Sequence, residues 1–119
     1  MIQKDPLLKL DKSEHSPHSI IPKMIKKEKV LILDVGCNTG IIGREIIEKK
    51  SAMVDGIDIN SEALDEAKKY YRKIFAQDLS AGNMDIENES YDYIIFSDIL
   101  EHLPRPDLIL QNAKKYLFC

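Results

Sequence analysis

Long hydrophobic runs are missing from this chain of 119 residues: its uninterrupted apolar stretches stop at about four residues, where a membrane-spanning helix needs about 20. Cysteine is scarce. Cys37 and Cys119 are the two present, too few for a disulfide framework and without the spacing of a metal site. An excess of positive charge is missing too. The 17 basic residues are spread among 20 acidic ones, for a net charge of −3 and a pI near 5.6, so no phosphate-backbone footprint stands out and nothing supports a nucleic-acid partner. The opening MIQKDPLLKLDK lacks the apolar core and cleavage site of a secretory signal. The cytoplasm is therefore the expected compartment, and the Asn88-Glu89-Ser90 sequon reads as chance. No internal repeat or low-complexity tract interrupts the chain.

What is present is a 44% hydrophobic content, enough for one domain with a core. Residues 1–19, with Pro6 and Pro17 and no clean period, read as a loosely ordered leader; residues 20–119 read as the domain. Ile20, Ile21, Met24 and Ile25 give an apolar face to a short helix beginning near Pro22. Val30–Val35 (VLILDV) has the continuous aliphatic pattern of a strand buried on both faces of a parallel sheet. A helix follows with Ile42, Ile46 and Ile47 on one face. Ala52–Ile59 is a second strand. The next helix, capped by Ser61 or Asn60, turns Ala63, Leu64, Ala67 and Tyr71 inward. A short strand near Lys73–Gln77, a buried strand at Tyr91–Ser97 and a last helix starting near Pro104 or Pro106 complete the series. Alternation of this kind predicts a doubly wound α/β fold with a mostly parallel sheet.

Ligands of such folds lie beyond the carboxyl ends of the strands, beside the first one. Gly36–Gly40 occupies that place. Gly36 and Gly40 permit positive φ, and Asn38 is the side chain that best tolerates it; the helix start that follows favours an anionic group. Two ligands compete. Asn38-x-Gly40-x-x-Gly43, read as an altered dinucleotide fingerprint with Asp58 about twenty residues on, gives a nicotinamide-type site, but the fingerprint should open directly after the strand. Asp34-x-Gly36-x-Asn38-x-Gly40 instead places a carboxylate at the strand tip, suited to an amino-acid-bearing nucleoside.

At these residues the chain resembles the class I S-adenosylmethionine-dependent methyltransferases. "VLILDVGCNTG" is similar to the family's first motif, "VDGIDIN" to its acidic second-strand motif, "AQDL" to the turn after strand three, and "YDYIIFSDILEHLPRP" to the fourth-strand segment. The resemblance implies a Rossmann-like sheet of order 3-2-1-4. It also implies that Asp34, Gly36 and Gly40 cradle the methionine end of S-adenosylmethionine, with Cys37 and Asn38 in contact. On the same basis Asp58 accepts from the ribose hydroxyls, Ile59 lies on the adenine face, Asp78 accepts from the adenine amino group with Leu79 beside the ring, and Ser97 or Asp98 sits near the methyl. His102 is the candidate base for an acceptor that must lose a proton. "EHLPRP" resembles the branch of the family that acts on small molecules, so the expected partner is a small-molecule methyl acceptor, with no membrane and no metal.

The family's sheet has seven strands, and the motifs here end with the fourth strand and its helix. The expectation is a cofactor-binding half, either truncated or completed by association, whose strand 91–97 lies exposed at an edge and invites pairing with a second copy or aggregation. A noncatalytic binding or assembly module and a nicotinamide-dependent oxidoreductase domain are the alternatives.

Overall fold

Five aliphatic residues and one aspartate build the centre of the sheet. In a computed structural model, which describes residues 2–3, 30–86, 90–97 and 99–117, this strand is β2, Val30–Val35. The sheet also contains β1 (Ile2–Gln3), β3 (Ala52–Asp58), β4 (Lys73–Ala76) and β5 (Tyr93–Phe96), in the order β1-β5-β2-β3-β4. The last four are parallel and reproduce the expected order 3-2-1-4.

Both faces of β2 are covered, which is why its sequence shows no polar alternation. Val30 and Ile32 pack with Ile42 and Ile46 of α1 (Ile41–Lys49) and with Leu64 and Ala67 of α2 (Ser61–Ala67). Leu33 and Val35 face the opposite layer, with Met84 and with Ile109 and Ala113 of α3 (Pro106–Ala113). Ile42 and Ile46, four residues apart, share the buried face of α1. The cap of α2 is Asn60, whose side chain accepts from the Glu62 and Ala63 N–H groups at 3.0 and 3.2 Å, with Glu62 adding a favourable charge in the first turn. Pro106 occupies the first turn of α3, where its missing N–H costs nothing.

Four features differ from the sequence reading. The fourth strand begins at Tyr93 because Asp92 substitutes a side-chain contact for the ladder: its backbone N–H donates to the Leu31 carbonyl at 2.8 Å, and its carboxylate accepts from the Leu31 N–H at 2.9 Å. The β5 edge expected to await a second copy is paired with β1, antiparallel, with Ile2 opposite Ile94 and Gln3 opposite Tyr93; two residues of the predicted leader are thus strand. Tyr71 is buried as expected but lies beyond the end of α2. Ile59 falls outside β3 and is 67% exposed. The helix expected near Pro22 lies outside the described residues.

Within β3, Asp55 is fully buried and held by Arg72, through Nε at 2.9 Å and Nη2 at 2.7 Å, and by the Tyr91 hydroxyl at 2.6 Å. A buried carboxylate is tolerable when its oxygens are occupied in this way. The three residues fasten β3, the start of β4 and the approach to β5 to one another.

Candidate functional site

The chain leaves β2 by a turn whose backbone is set at three positions. Gly36, Asn38 and Gly40 have φ of 75°, 51° and 86°, matching the left-handed geometry expected of them. The Gly36 and Cys37 N–H groups both donate to the Ile57 carbonyl, at 2.8 and 3.1 Å, which ties the loop to the end of β3. Asp58 completes the tie: one carboxylate oxygen accepts from the Asn38 N–H at 2.8 Å and the other from the Asn60 N–H at 2.9 Å. Gly36 is required for closeness as well as for φ, because a Cβ there would meet the Ile99 Cβ at 2.7 Å. Gly40 hands the chain to α1, whose first turn has neither a side-chain cap nor an acidic residue and so presents a partial positive charge.

Asp34 sits under this loop, 1% exposed. The Tyr71 hydroxyl donates to its Oδ2 at 2.6 Å, whereas Asp34 Oδ1 and the buried Ser97 Oγ make no hydrogen bond of acceptable geometry. Burial raises the Asp34 pKa to about 6; the neighbouring Tyr71 and Ser97 hydroxyls pull it back, and the Asp58 charge adds to the rise. Burial, followed by the Asp34 and Asp58 charges, also pushes the Cys37 thiol up, so it stays protonated and is a poor nucleophile.

A cavity of about 350 Å³ opens above the loop, lined by Gly36, Cys37, Asn38, Thr39, Ile41, Ile42, Asp58, Ile59, Ser97 and Ile99; its size suits a small ligand. Six residues singled out from sequence therefore meet at one place: Gly36, Cys37, Asn38, Asp58, Ile59 and Ser97. Asp34, buried under the loop, and Gly40, at the end of it, do not line the cavity. Asp78 is exposed and spends Oδ1 on the Ser80 N–H and hydroxyl, at 2.9 and 2.7 Å, contacts that hold its carboxyl below the usual range. Leu79 is 4% exposed and belongs to the core on the α3 side; it packs there instead of lining the cavity. His102 ends a short 3-10 turn, Leu100–His102, with its side chain 74% exposed and Nε2 3.9 Å from Glu101; it does not line the cavity. Asp98 lies outside the described residues. Sequence reasoning missed Thr39, Ile41, Ile42 and Ile99 as lining residues, although Thr39 is in the loop and Ile41 and Ile42 follow it directly, and it took Tyr71 for helix packing.

A family model described as a methyltransferase domain matches residues 33–118. The chain belongs to the methyltransferase-domain family. Among related proteins, this methyltransferase domain is 36% identical over 95 residues to the ubiquinone biosynthesis O-methyltransferase of Actinobacillus pleuropneumoniae serotype 7, an alignment covering 72% of this chain and 40% of that protein. Two solved structures share the fold. The plantazolicin methyltransferase BpumL in complex with SAH matches with a TM-score of 0.70 over 90% of this chain and 46% of its own, at 23% identity. A TehB-like SAM-dependent methyltransferase from Corynebacterium glutamicum matches with a TM-score of 0.69 over 85% and 56%, at 24% identity. The methyltransferase domain spans about 40% of the length of the curated relatives it matches.

Proposed function

We propose that this methyltransferase domain binds S-adenosylmethionine in the cavity between the glycine loop and Asp58, and serves the transfer of its methyl group to a hydroxyl of a small acceptor. The observation carrying the reading is the convergence of a loop in left-handed backbone, an acid at the end of β3 and a buried, unpartnered Asp34 Oδ1 beside Ser97. Orphaned acceptors suit a cationic donor, as the ammonium of an amino-acid-bearing nucleoside is, and the first turn of α1 suits its carboxylate.

Each Asp58 oxygen carries one backbone N–H and keeps a lone pair for ribose hydroxyls. Exposed Ile59 and half-buried Ile99 offer apolar surface to a flat ring. Asp78 has Oδ2 for an exocyclic amino group, with Leu79 holding the turn to the core. Bound there, S-adenosylmethionine supplies a methyl already activated by the sulfonium charge. The protein's part is orientation and exclusion of water: Gly36, Cys37 and Asn38 shape the floor, and Ile41, Ile42, Ile59 and Ile99 line the wall with apolar groups. Ser97, which follows β5 and lines the cavity, is the residue assigned to the methyl, with Asp98 the other candidate for that role. His102, three residues past Ile99, takes the proton of the acceptor hydroxyl. The relatives named as O-methyltransferases support a hydroxyl acceptor.

The test is transfer of tritiated methyl from S-adenosylmethionine to a panel of catechols and other phenols. Extractable label that depends on the chain and on Asp58 is expected. Label appearing on amines or on protein, with none on hydroxyl acceptors, contradicts the choice of substrate class.

A further inference from the structure

Tyr71 is the residue whose surroundings packing alone leaves unexplained. It lies past the end of α2, 6% exposed, and three glycines from different elements close on it. A Cβ on Gly43 of α1 would lie 2.1 Å from the Tyr71 hydroxyl; one on Gly56 of β3 would lie 2.7 Å from the ring; one on Gly40 would meet the ring edge at 3.2 Å. Each of those glycines leaves room for one phenol. The hydroxyl it delivers reaches Asp34 Oδ2 at 2.6 Å, the shortest class of charge-assisted contact. With Oδ2 taken, Oδ1 stays buried beneath the loop without a hydrogen-bond partner, and Ser97, which lines the cavity, neighbours the same carboxyl.

We propose that Tyr71 is a positioning residue for the cofactor site: its ring is the floor on which the loop and β3 close, and its hydroxyl fixes Asp34 with Oδ1 left free for the ligand's ammonium group. The proposal rests on the functional reading above for the identity of the ligand, and on geometry alone for the Tyr71–Asp34 contact. Ring and hydroxyl make separable contributions. A Tyr71→Phe chain keeps the floor and loses the donor, so its fold persists while the Asp34 carboxylate loses its strongest stabilising contact. The other groups facing Asp34 are the Ser97 hydroxyl just after β5, the Cys37 thiol on the loop and the Asp58 carboxylate on β3. None of them supplies a positive charge, and the Ser97 hydroxyl is the one other donor that can lower the Asp34 pKa. Burial pushes the Tyr71 phenol up, with the Asp34 charge adding, so the hydroxyl remains a donor throughout the working pH range.

Two readouts separate this proposal from the functional reading. The first is carbon-detected NMR titration of the Asp34 carboxyl in the unliganded wild-type and Tyr71→Phe chains. The midpoint, near 6 in the wild type, is expected to move upward in the variant. The second is calorimetric affinity for S-adenosylmethionine between pH 5 and 8. The variant is expected to bind roughly tenfold more weakly at neutral pH, as fits loss of one hydrogen bond to a charged group, with its pH dependence displaced upward. An unmoved Asp34 midpoint, in a variant that melts as the wild type does, overturns the proposal. Wild-type chain that binds no adenosyl ligand overturns the functional reading and the ligand half of the proposal, while the carboxyl titration still decides the contact.

Discussion

Removing the Asp34 charge should stabilise the unliganded chain while weakening its binding of ligand. In the folded chain the Asp34 pKa rises from an ordinary 3.8 to about 6, chiefly through burial. A carboxyl raised in this way contributes its full stability below pH about 4 and loses it as pH climbs through 6; above that, the ionised group is a constant penalty. At 1.36 kcal/mol per pH unit, the penalty is about 3 kcal/mol. Asp34→Asn removes it. The amide oxygen can still accept from Tyr71, and the amide nitrogen can donate to the Ser97 hydroxyl that has no partner. The variant should therefore unfold at a urea midpoint higher by about 1–3 M at pH 7.5, for a slope of about 1–3 kcal/mol per M. At pH 4 the difference should shrink to the small residue left by the better hydrogen bonding. Urea unfolding followed by far-ultraviolet circular dichroism, on both chains at both pH values, measures the double difference, so titration of every other group cancels. A wild-type-to-variant gap that is the same at pH 4 and pH 7.5 refutes the reasoning, because it would mean that Asp34 ionisation carries no cost.

Three further outcomes follow from the same contacts. Asp55→Ala leaves Arg72 and the Tyr91 hydroxyl facing a buried void and should cost about 3–5 kcal/mol, read from the urea midpoint; Tyr91→Phe should cost much less. Gly36→Ala must hold an L-residue at φ 75° with its Cβ 2.7 Å from Ile99; about 1–3 kcal/mol of stability should go to the clash alone, and adenosyl affinity should fall with it. His102→Gln should leave S-adenosylhomocysteine affinity unchanged by calorimetry, since His102 does not line the cavity, and should lower turnover of a hydroxyl acceptor by roughly 10²-fold or more.

The parts of this structure that were legible in the sequence are those whose cause is local. An unbroken VLILDV declared a strand covered on both sides, because a single buried face would have left alternating polar positions. Asn38 between two glycines declared a left-handed turn, and that is its backbone. Asp58 was legible as an acid at a strand end, although the two backbone N–H groups it holds were not. Contacts made across many residues left no such mark. Tyr71 meets Asp34 from 37 positions away, and as a tyrosine just after a helical pattern it looks like one more packing residue. Asp55, an acid within an apolar strand, was the one local hint of the Arg72–Tyr91 network, because a buried carboxylate demands partners. The strand at Ile2–Gln3 is too short to carry a period, and the side of the 3-10 turn on which His102 emerges depends on how the turn packs, not on its three residues.

The central claim is that the cavity beside Asp58 is an adenosyl-cofactor site, and calorimetric titration of the purified chain tests it most directly. The chain and its Asp58→Ala variant would each be titrated with S-adenosylmethionine, S-adenosylhomocysteine and NAD. Saturable binding of both adenosyl ligands by the wild type, lost in the variant and absent for NAD, is the predicted result. A folded wild-type chain that binds NAD, or that binds the adenosyl ligands as well without Asp58 as with it, contradicts the account.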